Sequence, residues 1–373
     1  MRPILLRLLL AALGLFAIEA AFRFGAWDPL VPPQSHSGTT IRMRDAVRAH
    51  AGRIDIVTLG SSRAAYGLDH AALAAAAKNH GLVHANLSMP GSHWMTIFEQ
   101  SRWLQRERDD VQGVVIALSA ADMTWRSNGT YELAIVQPMQ SPWQISDEVR
   151  ARFDPRDLNT YGVHSALFGY RQAVQHALQS PRELRKSLQW FREYGRHPLF
   201  DGPHIAHDLC GLPMATVAEC AQATPSIPEQ QTPIDQCRSL LPSVGVSPDW
   251  RALTADTLTD ERRALAELRR TQIRAMGWPR PPVVVLLPIT HLWRKELMPQ
   301  GAIAWSHLVL DPLAASGEIV LIDLSTALDE GDTTRCDAFF DLYHQNERGA
   351  RALTEQLLPQ IERALYAPKP PSR

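Results

Sequence analysis

Five short apolar runs punctuate the chain: IDIVTLG (54–60), HANLSM (84–89), GVVIALS (113–119), PVVVLLP (282–288) and EIVLIDL (318–324). They are rich in Val and Ile and stay apolar throughout rather than alternating with polar residues, as strands covered on both faces do. Between them the period changes to that of helices. LDHAALAAAAKNHG predicts a helix with Asp69 as N-cap and Gly81 as its stop. WMTIFEQSRWLQRERDD predicts a second helix, and NERGARALTEQLLPQIERALY a closing one capped by Asn346. Strand–helix alternation of this kind implies an α/β fold on a mostly parallel five-stranded sheet.

The pattern breaks between the third and fourth runs. Residues 127–279 contain no clear strand but three helical stretches, HSALFGYRQAVQHALQ, PRELRKSLQWFREYG and LTDERRALAELRRTQIRAMG. This region reads as a helical insertion on the rim of the sheet, splitting the α/β domain into parts at 28–126 and 280–366. Insertions of that size shape a binding cleft or a partner surface. The tail from 367 to 373, APKPPSR, has the composition of a disordered end.

At the N-terminus, MRPILLRLLLAALGLFAIEAAFRFGAW carries Arg2 and Arg7, then an apolar core from Leu8 to Ile18 interrupted by Glu19. That core is short for a bilayer span and close to a signal-peptide core in length. Glu19 stands where a cleavage site would want a small residue, and bulky Phe22 and Phe24 follow. Counted from Pro3 to Trp27 the segment is long enough to span, with Arg7 and Glu19 snorkelling towards the two interfaces. Residues 1–27 therefore read as an uncleaved anchor, a cleaved signal being the alternative. Arginines ahead of the core favour an inside N-terminus and an exported remainder.

Charge adds little. Lys plus Arg (38) nearly equals Asp plus Glu (39), so no global basic field marks a nucleic-acid partner. The four cysteines say more. Cys210, Cys220 and Cys237 fall in one Pro-rich, aperiodic segment and Cys336 far downstream, a segment that gains from cross-linking in an oxidising compartment. Three pairings are open, and no spacing points to zinc.

Candidate chemistry begins at LGSSRAAYGLD, where the first strand ends. Ligands of open α/β sheets gather at the carboxyl ends of strands, and a helix starting at a serine offers backbone N–H groups to an oxyanion. Gly-Ser-Ser alone is also a common turn. The second piece is CDAFFDLYHQNERGA (336–350). Asp341 and His344 are three residues apart, so in a helical turn both face one way, the Asp fixing the imidazole tautomer while the other ring nitrogen takes a proton from a serine. A surface turn capping the last helix is the plainer reading. NLSMPGSHW (86–94) and SAADMTW (119–125) end the second and third strands, and Gly91 could bring its N–H close to a reacting carbonyl. Arg63 suits either an ion pair or a substrate anion. Trp94, Trp125 and Trp293 follow strands and could stack on sugar rings or belong to the core. His93 and His291 lack carboxylates at ligand spacing and read as rim residues.

Together LGSSR, NLSMPG, SAAD and DLYH, in that order, resemble the blocks of the SGNH/GDSL hydrolase superfamily over residues 53–126 and 280–366. The resemblance implies a flavodoxin-like three-layer sandwich, with Ser62 rather than Ser61 as nucleophile and Asp341 and His344 completing a triad. The Ser62 and Gly91 backbone N–H groups would be oxyanion donors. One block departs: the family's third block supplies an Asn, and here Asp122 follows Ser119-Ala120-Ala121. Ser119, Asn86 or a backbone N–H would have to substitute, or the hole has two donors. With the anchor, the sequence is similar to envelope members that acetylate exopolysaccharides or handle D-alanyl esters of teichoic acids. That implies acyl transfer or ester hydrolysis on a glycan without a cofactor or metal, with Arg63, Trp94 and Trp125 touching substrate. It further implies a membrane-bound acyl-donor protein as partner and a single-pass protein of a bacterial inner membrane facing the periplasm. The competing expectation is a non-catalytic anchored accessory protein of a polysaccharide complex, docking through the insertion.

Overall fold

The structure is a computed structural model describing residues 2–33, 35–124, 135–140, 165–194, 197–246, 259–298 and 301–367. The chain divides into two compact units, Met1–Ala51 with Arg126–His197, and Gly52–Trp125 with Pro198–Arg373. The segment between the third and fourth strands is therefore not one body: its first part groups with the N-terminus and its second with the sheet.

In the first unit, α1 (Arg2–Arg23) is long and apolar enough to cross a membrane, and its apolar side chains from Ile4 to Ile18 are exposed. Glu19 does not snorkel. It pairs with Arg23 one turn on at 2.6 Å and accepts hydrogen bonds from the Ser165 hydroxyl and the Ala166 N–H at 2.8 and 2.7 Å. Those donors open the short helix Ala166–Gly169. The helix α2 (His36–Ala49) is capped by Ser35, whose hydroxyl accepts from the Gly38 N–H.

The second unit holds five parallel strands, β1 (Ile56–Gly60), β2 (His84–Asn86), β3 (Gly113–Leu118), β4 (Val283–Leu286) and β5 (Val320–Asp323). Their order across the sheet is β2-β1-β3-β4-β5. Parallel strands need crossovers, and here helices supply them. One face, with Ile56, Val115, Val283, Val285 and Ile322, packs on Leu73 and Ala77 of the helix His70–Asn79 and on Leu353 and Leu357 of the helix Glu347–Ile361. The alternate residues Val57, Leu59, Val114, Ile116 and Val284 are also fully buried, which is why the runs are apolar without alternation. The expected caps are in place: Asp69 accepts from the Ala72 N–H and Asn346 from the Gly349 N–H.

Strand order places a topological switch between β1, which runs out to β2 on one side, and β3 on the other. In open α/β sheets the crevice at such a switch, beyond the strands' carboxyl ends, is where ligands bind. Pairing also continues past the short β2: the Leu87 and Met89 N–H groups donate to the Thr58 and Gly60 carbonyls at 2.8 and 2.9 Å. The two loops that leave β1 and β2 are thereby tied together. The cysteines pair as Cys210–Cys336 and Cys220–Cys237.

Candidate active site

Gly60 ends β1 where there is no room for a side chain. A Cβ there would sit 2.3 Å from both the Ala117 carbonyl oxygen and the Ala64 Cβ. This close approach lets a helix, α3 (Ser62–Gly67), start directly at the strand end. The two serines then take different tasks. Ser61 is buried and caps α3, its hydroxyl accepting from the Arg63 N–H at 3.2 Å. Ser62 is the first helical residue, and its Oγ lies 2.7 Å from His344 Nε2.

His344 and Asp341 sit in a bend before the closing helix, not in a helical turn as expected. The carboxylate itself explains the difference: Asp341 Oδ1 accepts from the Tyr343 and His344 backbone N–H groups at 2.9 and 2.8 Å, a side-chain-to-backbone turn that competes with helix. Its Oδ2 takes the His344 Nδ1–H at 2.8 Å. A carboxylate only accepts, so Nδ1 carries the proton and Nε2 is left to accept from Ser62. Burial alone would raise the Asp341 pKa. The hydrogen bonds from His344, the Tyr343 N–H and Gln236 outweigh it and hold the carboxyl below its ordinary range. The Ser62–His344–Asp341 chain thus joins the ends of β1 and of the last loop, with Asp341 anionic.

In the loop after β2, Gly91 has φ +80°, a conformation open to glycine. Among the described residues neither the Ser62 N–H nor the Gly91 N–H has an acceptor. The side-chain alternatives are engaged elsewhere. Ser119 directs both its N–H and its hydroxyl to Asp122 Oδ2, at 2.8 and 3.1 Å. Asn86 accepts from the Ser88 N–H and donates to the Asp201 carbonyl, at 2.9 and 3.0 Å. Ser119 thus spends both its donors on Asp122, whereas the Asn86 amide, with two N–H groups, keeps one beyond its bond to Asp201.

Asp122 is not a bare charge. Its Oδ1 lies 2.5 Å from Arg63 Nη1, with His93 Nδ1 at 3.8 Å. Burial pushes its pKa up, but the Arg63 charge, the nearby His93 and the Ser119 donor prevail and bring it down to about 2. Arg63 is thus an ion-pair residue, its guanidinium also 5.4 Å from the centre of the Tyr343 ring. The pair bridges α3 to the short helix Ala120–Thr124 that follows β3.

Trp94 does not reach a site: it is fully buried and its Nε1 donates to Gln272 at 2.8 Å. Trp125 lies outside the described residues. Trp293 packs edge-on against Tyr343, and His93 and His291 begin helices at the ends of β2 and β4. The aromatics that do surround the imidazole are Tyr66, Phe340 and Tyr343, with ring centres 5.1, 5.6 and 4.3 Å from it. FFDLYH hinted at Phe340 and Tyr343, but not at Tyr66, which comes from α3. Nothing in the sequence hinted at Gln236, whose amide donates to Asp341 from a helix more than a hundred positions upstream, at 3.1 Å. Among the described residues no group of His, Cys, Asp and Glu is placed to hold a metal ion.

Compared with known proteins, the chain matches no family model, and no curated protein matches it significantly.

Proposed function

We propose that this chain is a serine acyl-transfer enzyme of the SGNH type, acting on acyl esters of an envelope or exported glycan. The observation that carries the reading is the unbroken hydrogen-bonded chain from Ser62 through His344 to a buried Asp341, at 2.7 and 2.8 Å. A serine hydroxyl is a weak nucleophile until a base takes its proton, and an imidazole oriented by a carboxylate is such a base.

In this reading the Ser62 oxygen attacks the ester carbonyl while its proton passes to His344 Nε2. Negative charge develops on the carbonyl oxygen, and the Ser62 and Gly91 N–H groups, which have no acceptor among the described residues, supply the donors. Imidazolium forms against Asp341, whose ionised carboxylate stabilises it. Collapse expels the alkoxide, which takes the proton from Nε2 and leaves an acyl-Ser62. A second hydroxyl, from sugar or water, gives its proton to Nε2 and attacks the acyl carbon; the Ser62 oxygen then leaves and takes that proton, which restores the triad. The acceptor decides between transfer and hydrolysis.

Two disulfides and an apolar N-terminal helix support an exported, membrane-tethered domain, and we place it on the outer side of a bacterial inner membrane. The test is covalent labelling with a fluorophosphonate. Labelling lost in Ser62→Ala and kept in Ser61→Ala supports the enzyme; an unlabelled wild type together with unchanged glycan acylation in Ser62→Ala cells points to an accessory protein.

A further inference from the structure

We infer that the disulfide-bonded segment between β3 and β4 is a working part of the catalytic site, with Gln236 as its positioning residue for Asp341. This rests on the triad reading above. Gln236 lies in the helix Gln231–Leu240. Its Nε2 donates to Asp341 Oδ2 at 3.1 Å, and its Oε1 faces the Leu342 N–H at 3.4 Å. The amide orientation is forced, because a carboxylate can only accept and a backbone N–H can only donate.

Of the side-chain contacts that hold the Asp341 carboxylate among the described residues, those from Tyr343, His344 N–H and His344 Nδ1 all come from its own turn. Among the described residues Gln236 is the one that reaches it from another element, and it binds the same oxygen that holds the imidazole. A carboxylate that fixes an imidazole must itself be fixed in one rotamer and kept ionised, and a donor on Oδ2 does both.

The segment is built to hold Gln236 there. The next residue, Cys237, is bonded to Cys220; both are fully buried and pack with Val217, Leu292 and Leu342, the residue between Asp341 and Tyr343. The Leu342 carbonyl accepts from Thr290 Oγ1 at 2.5 Å, which pins the turn from its other side. The second disulfide ties Cys210 to Cys336, and the Leu209 N–H donates to the Cys336 carbonyl at 3.1 Å, just upstream of the turn. The segment therefore grips the stretch 336–344 at its start and at its catalytic end. A helix that served only as a docking surface would have no use for an amide turned inward onto a buried carboxylate.

The titratable groups facing Asp341 are His344, Tyr66 and Tyr343, with Arg63 over the Tyr343 ring. Gln236→Glu adds one more without changing shape. When protonated, it donates to Asp341 as the amide does; when ionised, it repels it. The experiment measures fluorophosphonate labelling rates of Ser62 across pH in full-length, detergent-solubilised protein, with melting temperatures in parallel. We expect Gln236→Ala to slow labelling about 10- to 100-fold with little change in melting temperature. For Gln236→Glu, the rate relative to wild type rises as pH falls, whereas for Gln236→Ala that ratio stays flat. Wild-type rates in both variants, or the same flat ratio in both, overturn the inference while leaving the triad standing. A wild type that is not labelled at Ser62 overturns the triad reading, and this inference with it.

Discussion

The Ser62 hydroxyl lies 2.7 Å from His344 Nε2, although 282 positions separate the two residues in the chain. A strand end and the last loop meet because β1 sits inside the sheet and the closing helix packs back over the face that β1 shares. The account of this site makes four predictions besides the labelling patterns already given.

Asp341→Asn keeps the shape but offers an amide in place of an acceptor. The imidazole then loses the partner that fixes the proton on Nδ1. Turnover of an activated aryl ester should fall by about 10³–10⁴, the scale seen when a triad carboxylate is neutralised. Steady-state kinetics on well-folded variant measures it.

Asp122→Ala should destabilise the fold rather than switch off chemistry directly. It leaves Arg63, whose side chain is 12% exposed, without its carboxylate. Breaking such a pair costs about 3–5 kcal/mol, whereas Arg63→Met combined with Asp122→Leu should recover much of it. Urea unfolding of the single and double variants checks this. The folded-state pKa of Asp122 is depressed, so its contribution is complete above the ordinary carboxylate range and is lost as pH falls from there towards about 2.

Two buried histidines set the acid limit nearer neutrality. His84, held between Thr58 and Tyr366, has its pKa pushed by burial down to about 3, and His70 to about 4. The unfolded chain takes up these protons first as pH drops below about 6.5, so stability falls with pH from there until the folded pKa values are reached. Between pH 7 and 5 the loss should be on the order of 2 kcal/mol for each histidine. Denaturation midpoints at the two pH values report it, and replacing both residues by Gln should flatten the dependence.

Removing the cross-links should act in proportion to the loops they close. The Cys220–Cys237 bond spans 17 positions and Cys210–Cys336 spans 126. Chain entropy assigns them about 3 and about 5 kcal/mol as upper values. Paired Cys→Ser variants, followed by thermal melting, should rank in that order. Because both bonds bear on the Asp341 turn, labelling of Ser62 should slow as well.

Much of this was legible in the sequence, for physical reasons. The strands were visible because a sheet covered on both faces admits only apolar residues, so 54–60 and 113–119 match β1 and β3 closely. The HANLSM run extends beyond β2 because Leu87 and Met89 still pair with β1 after the regular strand stops at Asn86. The choice of Ser62 over Ser61 came from the resemblance to the SGNH blocks; in the structure Ser61 caps α3, while the Ser62 hydroxyl is the one that meets His344. What sequence could not carry were relations that depend on long-range packing. Trp94 follows a strand just as a rim residue would, but the bond to Gln272 in the helix Asp260–Ala275 takes it into the core. Asp122 stood out only as a departure from the block that supplies an Asn; its pairing with Arg63, far back in the chain, is visible only in three dimensions. Gln236 was silent, since an amide on a helix has no local signature of the carboxylate it will meet.

The most direct measurement of the central claim is the site of covalent modification. Full-length protein treated with a fluorophosphonate and digested for mass spectrometry should carry the adduct on Ser62, with labelling lost in His344→Ala and retained in Ser61→Ala. An adduct on another residue, or labelling that persists in Ser62→Ala, would contradict it.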